Sequence, residues 1–537
     1  MLDDTQIPQV AGLRPLTPLE RQQRAASMAC MDPSKRPGTA DCSQSLWLSF
    51  FFDGTGNNEK NDTPRSKQSN VARLLLAHNE KDDSTGTYRI YIPGLGTPFP
   101  EIGERSYSKP GLAFGVGGGK RLTWAKQQFD KRIQEAKARA TNPRQPIRMI
   151  NVALLGFSRG AALARAFAVR LARECRNSGD GWQYQDYPIR LYFMGLFDTV
   201  ASAGLPASAK LVDRSPLVNF STLVVSPVIG SLLTLVPKDG HYWWASDLKI
   251  PPMVEQCVHY VAAHEVRNSF PLDSVRDGKS YPPNCTEVIY PGVHSDVGGG
   301  YAPGEQTRSL KDDEKLSQVP LLHMYRAARA AGVPLQGLNT LQDNVKQMFQ
   351  LSPKTASLFD TYQRLAHAAG STEIAVADHL YQLYLARSYL SKLTEDQAAR
   401  ARLPAAKQIL QQTGNEDLAK NLEPELAKIT AGGNAVNIAS AGAETKKLSG
   451  KSLTLREATL ARAYEDVSLI TGNATSRQAL LDFFDYLVHD SVAGFGIDMS
   501  KLQNWRMIYF GDQGYEPPND WSVADATERD ETTNTVA

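Results

Sequence analysis

The sequence predicts an α/β fold with a mostly parallel sheet and helices on both of its faces. Short apolar runs recur along the first 300 residues, helix-like stretches such as 119–140 separate several of them, and each run ends in a turn rich in Gly or Asp. Strands that alternate with helices are typical of parallel sheets. The predicted strands are Leu46–Phe52, Tyr88–Ile92, Ile150–Leu155, Ile189–Phe197 and Val288–Tyr290.

Length and composition narrow the class of protein. A chain of 537 residues predicts two or more domains, or one large domain with insertions, and 42% hydrophobic residues are ordinary for a globular protein with a sizeable core. A net charge of +2 does not favour nucleic acid as a partner. Five scattered cysteines show no zinc spacing and no disulfide framework. We therefore expect no metal and no cofactor.

The N-terminus also bears on the compartment. It is acidic at once and lacks the apolar stretch of a secretory signal peptide. The cysteine pattern fits folding in a reducing compartment. We therefore expect a cytoplasmic protein in the cell that makes it.

The stretch "GFSRG" at 156–160 contains the first candidate reactive group. A buried strand precedes it, and apolar residues recur at helical spacing after it. Such a strand-to-helix turn would expose the Ser158 hydroxyl at the end of the sheet, beside a helix N-terminus that favours negative charge. The alternative is a capping serine in a Gly-rich turn.

Two further candidates follow later strands of the same predicted sheet. Asp198 lies in "LFDTV" and His294 in "GVHSDVGGG", so the chain order is Ser, acid, His, which is that of the α/β-hydrolase triad. A serine hydroxyl needs an imidazole to take its proton and a carboxylate to hold that imidazole. Asp198 could instead cap a helix, His294 could be structural, and Asp296 is a rival acid. His489 is an alternative histidine.

An acyl-transfer site also needs donors for the oxyanion. One is normally the backbone N–H of the residue after the nucleophile, here Arg159, and the other comes from a loop after an earlier strand. The loop "FFDGTGNN" at 51–58 offers Gly54 or Thr55, and Asp53 could order it by accepting backbone hydrogen bonds. The loop could equally be a tight turn with no such role.

Four blocks carry a resemblance to a known family. "FFDGTGNN", "GFSRGAA", "LFDTVAS" and "PGVHSDVGGGY" resemble the shared motifs of α/β-hydrolase-like proteins that include the first class of type VI secretion lipase effectors. The likeness spans roughly residues 45 to 335, up to the late helix "VPLLHMYRAARAAGVPL". It implies an antibacterial phospholipase of the A type, acting through Ser158, Asp198 and His294.

The same resemblance implies partners and a destination. They are a phospholipid membrane as substrate, a type VI spike protein for delivery, a cognate immunity protein and the periplasm of the target cell as the place of action. Two other functions remain open at this point. One is a different serine hydrolase, such as a thioesterase or short-chain esterase, and the other is a non-catalytic binding protein on a hydrolase scaffold.

Between the triad acid and the histidine lies an uncharged apolar segment, residues 216–236. It is long enough to span a bilayer, but Pro227 and Gly230 interrupt it and the triad residues on either side must meet. We favour a lid insertion at about 205–250 that ends in the aromatic stretch "HYWWASDLK", which suits a membrane interface. A buried core segment is the alternative.

The predicted organisation has four parts. They are an N-terminal arm (1–44), an α/β-hydrolase catalytic domain with the lid insertion (45–335), a helix-rich region (336–515) and a disordered acidic tail (516–537). The stretches 377–393 and 475–490 show helical periodicity, whereas 429–445, rich in Gly, Ala and Asn, is predicted to be a long loop. "CVHYVAAHEVR" at 257–267 is interpreted as a helix, with His259 and His264 on different faces.

Overall fold

The fold is taken from a computed structural model. It describes residues 44–108, 117–140, 147–179, 181–202, 241, 243–267, 269–278, 280–366, 371–392, 436–491, 505–511, 515–516 and 521–523. Nearly all of the predicted arm, most of the acidic tail and most of the predicted lid, including the apolar segment 216–236, lie outside these residues. The three interpretations of that segment therefore stay predictions.

An eight-stranded sheet forms the centre of the fold. Its strands are β1 (Gln44–Phe52), β2 (Thr87–Ile92), β3 (Ile147–Phe157), β4 (Cys175–Asn177), β5 (Trp182–Tyr184), β6 (Tyr187–Phe197), β7 (Cys257–Ala262) and β9 (Cys285–Tyr290). Six of them run parallel in the order β2-β1-β3-β6-β7-β9, while the hairpin β4–β5 pairs antiparallel with the first residues of β6. The predicted mostly parallel sheet is confirmed.

A second, small sheet lies beside the first. It contains β8 (Leu272–Asp273), β10 (Ile508–Tyr509) and β11 (Tyr515–Glu516), with β10 between the other two. β10 runs parallel to β8, so a segment near the C-terminus pairs with one that follows β7 closely in the chain. This pairing brings residues just before β10 to the sheet edge where β6 and β7 end.

Helices cover both faces of the large sheet. They are α1 (Glu59–Asp62), α2 (Asn70–Ala77), α3 (Gly118–Arg139), α4 (Arg159–Glu174), α5 (His294–Gly298), α6 (Gln318–Ala331), α7 (Asp343–Gln347), α8 (Pro353–Ala366), α9 (Thr372–Lys392), α10 (436–448), α11 (Leu455–Gly472) and α12 (Ala474–Tyr486). Side chains of β1 alternate between two cores, as the two-residue period of a strand requires. One core contains α3 and α4, and the other contains α2, α6 and the late helices.

The late helices confirm the predicted helix-rich C-terminal region. Their apolar side chains belong to the same core as one face of the sheet, so this region is packed directly against the α/β part of the fold. Among the helices that the structure describes, none combines the length and the apolar character needed to cross a bilayer.

Two of the sequence predictions are wrong. Residues 257–262, interpreted as helix, form the buried strand β7, because a short apolar run has the same appearance in a core helix and a core strand. Residues 436–448, predicted to be loop, form α10. Val436, Ser440 and Ala443 recur there at helical spacing and are buried, so small side chains supply the packed face of this helix.

Candidate active site

Ser158 occupies a strained turn between β3 and α4. Its backbone has φ 58° and ψ −129°, a conformation that residues with a side chain rarely adopt. A Cβ at Gly156 or Gly160 would come closer than 3.0 Å to neighbouring backbone atoms, so both glycines are needed for the turn. The Ser158 N–H donates to the Phe197 carbonyl at 3.0 Å, which ties the end of β3 to the end of β6.

Asp198 and His294 meet at the same edge of the sheet. Asp198 follows β6 directly, His294 is the first residue of α5, and the imidazole Nδ1 lies 2.6 Å from the Asp198 Oδ2. Nε2 is buried and has no hydrogen-bond partner among the described residues. The ring packs 4.7 Å from that of Phe157, the residue before Ser158. The His294 imidazole therefore lies beside the turn that bears Ser158, and its Nε2 is open.

The electrostatics of this pair favour a neutral imidazole and a charged carboxylate. Burial lowers the pKa of His294, and the hydrogen bond and charge of Asp198 only partly oppose it. Burial would raise the pKa of Asp198, but the Arg506 guanidinium and the bond from His294 outweigh it and hold that pKa well below 3.8. At neutral pH, Nδ1–H then donates to the carboxylate, and Nε2 is left as an acceptor.

Arg506 is a site residue that the sequence analysis did not find. Its two terminal nitrogens lie 2.8 and 2.7 Å from the two carboxylate oxygens of Asp198. The side chain is 6% exposed and that of Asp198 is 0% exposed. One general signal pointed to such a partner: a carboxylate predicted to lie at the end of a buried strand needs compensating donors or charge. No local motif identified which residue supplies them.

The rival residues form a second pair of their own. Asp296 accepts a hydrogen bond from the His489 Nδ1 at 2.6 Å, and its other oxygen accepts from the backbone N–H groups of Val293 and His489, each at 3.0 Å. The His489 ring stacks on Tyr301 with the ring centres 3.7 Å apart. The structure thus pairs His294 with Asp198 and pairs Asp296 with His489.

The loop after β1 lies against the serine turn. Asp53 accepts from the Gly54 N–H at 2.8 Å and from the hydroxyls of Ser69 and Tyr91, so it orders the loop as expected. Burial raises the pKa of Asp53 to about 6, although these bonds lower it. The Arg159 guanidinium donates to the Thr55 hydroxyl at 3.1 Å, which connects this loop to the start of α4.

The other histidines of the sheet have structural partners. His259 in β7 faces Glu287 through Nδ1 at 2.9 Å, and its Nε2 accepts from the Thr199 N–H at 3.0 Å. His264 accepts from the Gly292 N–H. Among the described residues, no group of three or more His, Cys, Asp or Glu side chains could hold a metal ion.

A cavity of about 640 Å³ lies away from the predicted site. Its walls include His241, Leu248, Tyr281 and Tyr509, and none of the predicted site residues. The cationic side chains in these walls are already engaged: Arg165 with backbone carbonyls, Arg173 with Asp247, Lys249 with Asp277 and Arg276 with Glu373. The cavity and the predicted site are therefore separate places in the fold.

Comparison with known proteins gives a family match. A model of the catalytic domain of Tle1-like phospholipase effectors of the type VI secretion system matches residues 48–175 and 173–327. No curated protein matches the chain.

Solved structures give a fold match. An uncharacterized protein from Pseudomonas aeruginosa has a TM-score of 0.65 at 23% identity, over 94% of this chain and 84% of that one. A Tle1 effector bound to a VgrG spike has a TM-score of 0.35 at 17% identity, over 63% of this chain and 84% of that one. The RedJ thioesterase of prodiginine biosynthesis in Streptomyces coelicolor has a TM-score of 0.20 at 15% identity, over 50% and 92%. The first of these supports the fold.

Proposed function

The chain belongs to the Tle1-like phospholipase effectors of the type VI secretion system, and on that premise we propose that it cleaves the acyl ester bonds of phospholipids with Ser158 as nucleophile. One observation carries the proposal. The strained Ser158 turn lies beside a buried imidazole, His294, whose Nδ1 is bonded to Asp198 and whose Nε2 is unoccupied within the described residues. A buried imidazole that is bonded to a carboxylate through one nitrogen and open at the other can serve as the base that a serine nucleophile requires.

The reaction runs in two halves. The His294 Nε2 takes the proton of the Ser158 hydroxyl as Oγ attacks the ester carbonyl, and Asp198 stabilises the imidazolium that forms. The tetrahedral intermediate collapses, the C–O bond to the glycerol breaks, and His294 gives its proton to the leaving alkoxide. Water, deprotonated by the same imidazole, then attacks the acyl-Ser158 ester, the acyl–Oγ bond breaks, and His294 returns the proton to Oγ. The products are a lysophospholipid and a fatty acid, as for a phospholipase A.

Backbone N–H groups stabilise the oxyanion of each intermediate. Arg159 is the first residue of α4, and a first-turn N–H has no acceptor within its own helix. In the loop after β1, the Gly54 N–H already donates to Asp53. We therefore assign the second donor to the Thr55 N–H. Gly54 is needed for another reason, because a Cβ there would overlap the Phe157 ring.

A vesicle assay tests the proposal. Wild type and Ser158→Ala are incubated with phosphatidylethanolamine and phosphatidylglycerol vesicles, and free fatty acid and lysophospholipid are measured. We expect release by the wild type and a loss of several orders of magnitude in the variant. Hydrolysis of soluble thioesters or short-chain esters without action on vesicles would favour another serine hydrolase. A wild type that neither cleaves lipid nor reacts with a fluorophosphonate probe would be a binding protein.

Labelled lipid sharpens the assignment to the A type. Phospholipids that carry different acyl chains at the two glycerol positions identify which ester is cut, because the released fatty acid differs. Release of one acyl chain with its lysophospholipid supports the A type. Release of a phosphorylated head group, or of phosphatidic acid, would contradict it.

We also propose that the protein acts as an antibacterial effector, carried by a type VI spike protein into the periplasm of a target cell and neutralised in its producer by an immunity protein. Family membership supports this proposal. Expression with a secretory signal should be far more toxic to a host bacterium than cytoplasmic expression, and Ser158→Ala should remove the difference. Toxicity that survives Ser158→Ala would contradict it.

A further inference from the structure

Arg506 binds both carboxylate oxygens of Asp198, and one of them, Oδ2, also takes the bond from His294. Each guanidinium nitrogen meets one carboxylate oxygen, and Nη2 also donates to the Ala262 carbonyl at 2.8 Å. A planar fork of this kind fixes both the position and the rotation of a carboxylate, which a single point charge cannot do. The carboxylate of Asp198 thus has three partners, Arg506, the Ala262 N–H at 2.9 Å and His294.

Arg506 lies 308 residues after Asp198 in the chain, and the small sheet brings the two side chains together. β10 begins two residues after Arg506 and pairs with β8, and the Met507 carbonyl accepts from the Leu272 N–H at 2.9 Å. β8 is in turn bonded to the loop that follows Asp198, because the Asp273 N–H donates to the Thr199 carbonyl at 2.9 Å. Arg506 and Asp198 are therefore carried by two backbone segments that are bonded to the same strand.

We propose that Arg506 is a positioning residue of the active site, which orients Asp198 against His294 and balances its charge. The inference rests on the proposed esterase function. The proposal also gives residues 505–511 a role. Ser158, Asp198 and His294 all lie within the part of the chain that the family model matches, whereas Arg506, which binds the acid, lies beyond it.

The charge balance has a measurable consequence. A lone Asp198 carboxylate would stabilise the imidazolium strongly, whereas a carboxylate paired with a guanidinium does so less. His294 also faces Glu265, whose Oε2 accepts its backbone N–H at 3.3 Å, but Arg267 pairs with that carboxylate at 2.7 Å. Loss of Arg506 therefore raises the pKa of His294, and the acidic limb of the rate profile moves to higher pH.

Two substitutions separate orientation from charge. Arg506→Met removes both the two-point bond and the positive charge. We expect kcat on phospholipid vesicles to fall roughly 10- to 100-fold, as when a group that orients a functional side chain is lost. The acidic limb of kcat/KM should move to higher pH. Arg506→Lys keeps a cation but loses the fork, so kcat should fall while the acidic limb stays close to that of the wild type.

A matched control is present in the same sheet. Arg190, near the start of β6 and far from Asp198, makes an equally buried two-point bond to Glu255, with both N–O distances 2.6 Å. Arg190→Met should lower thermal stability about as much as Arg506→Met, because each leaves a buried carboxylate without its arginine. Its acidic limb should not move. A limb that moves equally in both variants would contradict the positioning role.

A double substitution tests whether the effect passes through Asp198. In an Asp198→Asn background, Arg506→Met should cost less than twofold in kcat, because the residue that it positions no longer carries charge. A further loss of 10-fold or more would make Arg506 an independent structural residue and overturn the proposal. If Arg506→Met does not fold, the same cycle is run with Arg506→Lys.

The outcomes distinguish a failure of the positioning proposal from a failure of the esterase proposal on which it rests. If wild type fails to cleave vesicles and Ser158→Ala changes nothing, the esterase proposal fails. If wild type is active and Ser158→Ala is not, while both Arg506 variants keep the kcat and the pH profile of the wild type, only the positioning proposal fails.

Discussion

Two Asp–His pairs lie next to each other in this protein, and their bond lengths do not distinguish them. His294 and Asp296 both belong to α5, and each is bonded to a partner from elsewhere, Asp198 and His489 respectively, at 2.6 Å. In both histidines Nε2 is buried without a hydrogen-bond partner among the described residues. A short Asp–His bond is therefore not sufficient evidence for a catalytic pair.

The surroundings of the two pairs differ. The ring of His294 contacts the rings of Phe157 and Phe270, next to the Ser158 turn, and its carboxylate partner is bonded to a guanidinium. The ring of His489 is stacked on Tyr301, and Asp296 uses its second oxygen on backbone N–H groups. The first arrangement leaves an imidazole beside the proposed nucleophile, and the second binds the residues that follow α12 to the turn that bears His294.

The largest expected difference is between the two histidines. His294→Ala removes the proposed base, so turnover should fall by a factor on the order of 10⁴ to 10⁶. His489→Ala removes a structural contact, and turnover per folded molecule should fall less than about 10-fold. Vesicle hydrolysis, with the folded fraction measured by circular dichroism, checks both. Equal losses in the two folded variants would make His489 part of the catalytic machinery.

The two aspartates should differ by a smaller factor. Asp198→Asn presents the wrong hydrogen-bonding group to the His294 Nδ1 and should cost roughly 10⁴-fold in kcat. Asp296→Asn should act mainly through stability, because its partners are a structural histidine and two backbone N–H groups. Steady-state kinetics and thermal unfolding of both variants measure the contrast. If Asp296→Asn lost more turnover than Asp198→Asn, the proposed acid would be wrong.

The pH profile gives a third contrast. Neutral His294 is the active form, so activity is lost as pH falls through its pKa, and because burial lowers that pKa the acidic limb of kcat/KM should lie below pH 6.5. Asp53, with a pKa of about 6, could produce a similar limb. In Asp53→Asn the rate should fall but the limb should remain. Disappearance of the limb would assign it to Asp53 instead.

Much of the sheet could be predicted because its strands are buried on both faces. Four strands, β1, β2, β3 and β6, are nearly continuous apolar runs, and the Gly156-x-Ser158-x-Gly160 spacing predicted the strained turn after β3. β7 was wrongly interpreted as a helix because a short run that is buried on both faces shows no two-residue alternation. Its histidine, His259, is stabilised in the core by bonds to Glu287 and Thr199. The spacing of apolar residues alone could not distinguish this strand from a helix.

The contacts missing from the sequence analysis are those set by tertiary register. Arg506 reaches Asp198 only because β10 pairs with β8, and two-residue strands leave little pattern in a sequence. Helix α10 was missed for another reason, since its buried face is built from small side chains such as Ser440 and Ala443.

The smallest expected effect concerns Tyr301, whose ring stacks on that of His489. Tyr301 is stacked on the imidazole, and an aromatic pair of this kind contributes about 0.5 to 1.5 kcal/mol beyond its buried area. Tyr301→Leu should lower the free energy of unfolding by about that amount and leave kcat within about twofold, whereas Tyr301→Phe, which keeps the ring, should change neither. Denaturant unfolding and vesicle hydrolysis measure the two quantities. A loss of turnover in Tyr301→Leu without a loss of stability would show that the second pair acts on the chemistry, and the structural interpretation of His489 and Asp296 would have to be abandoned.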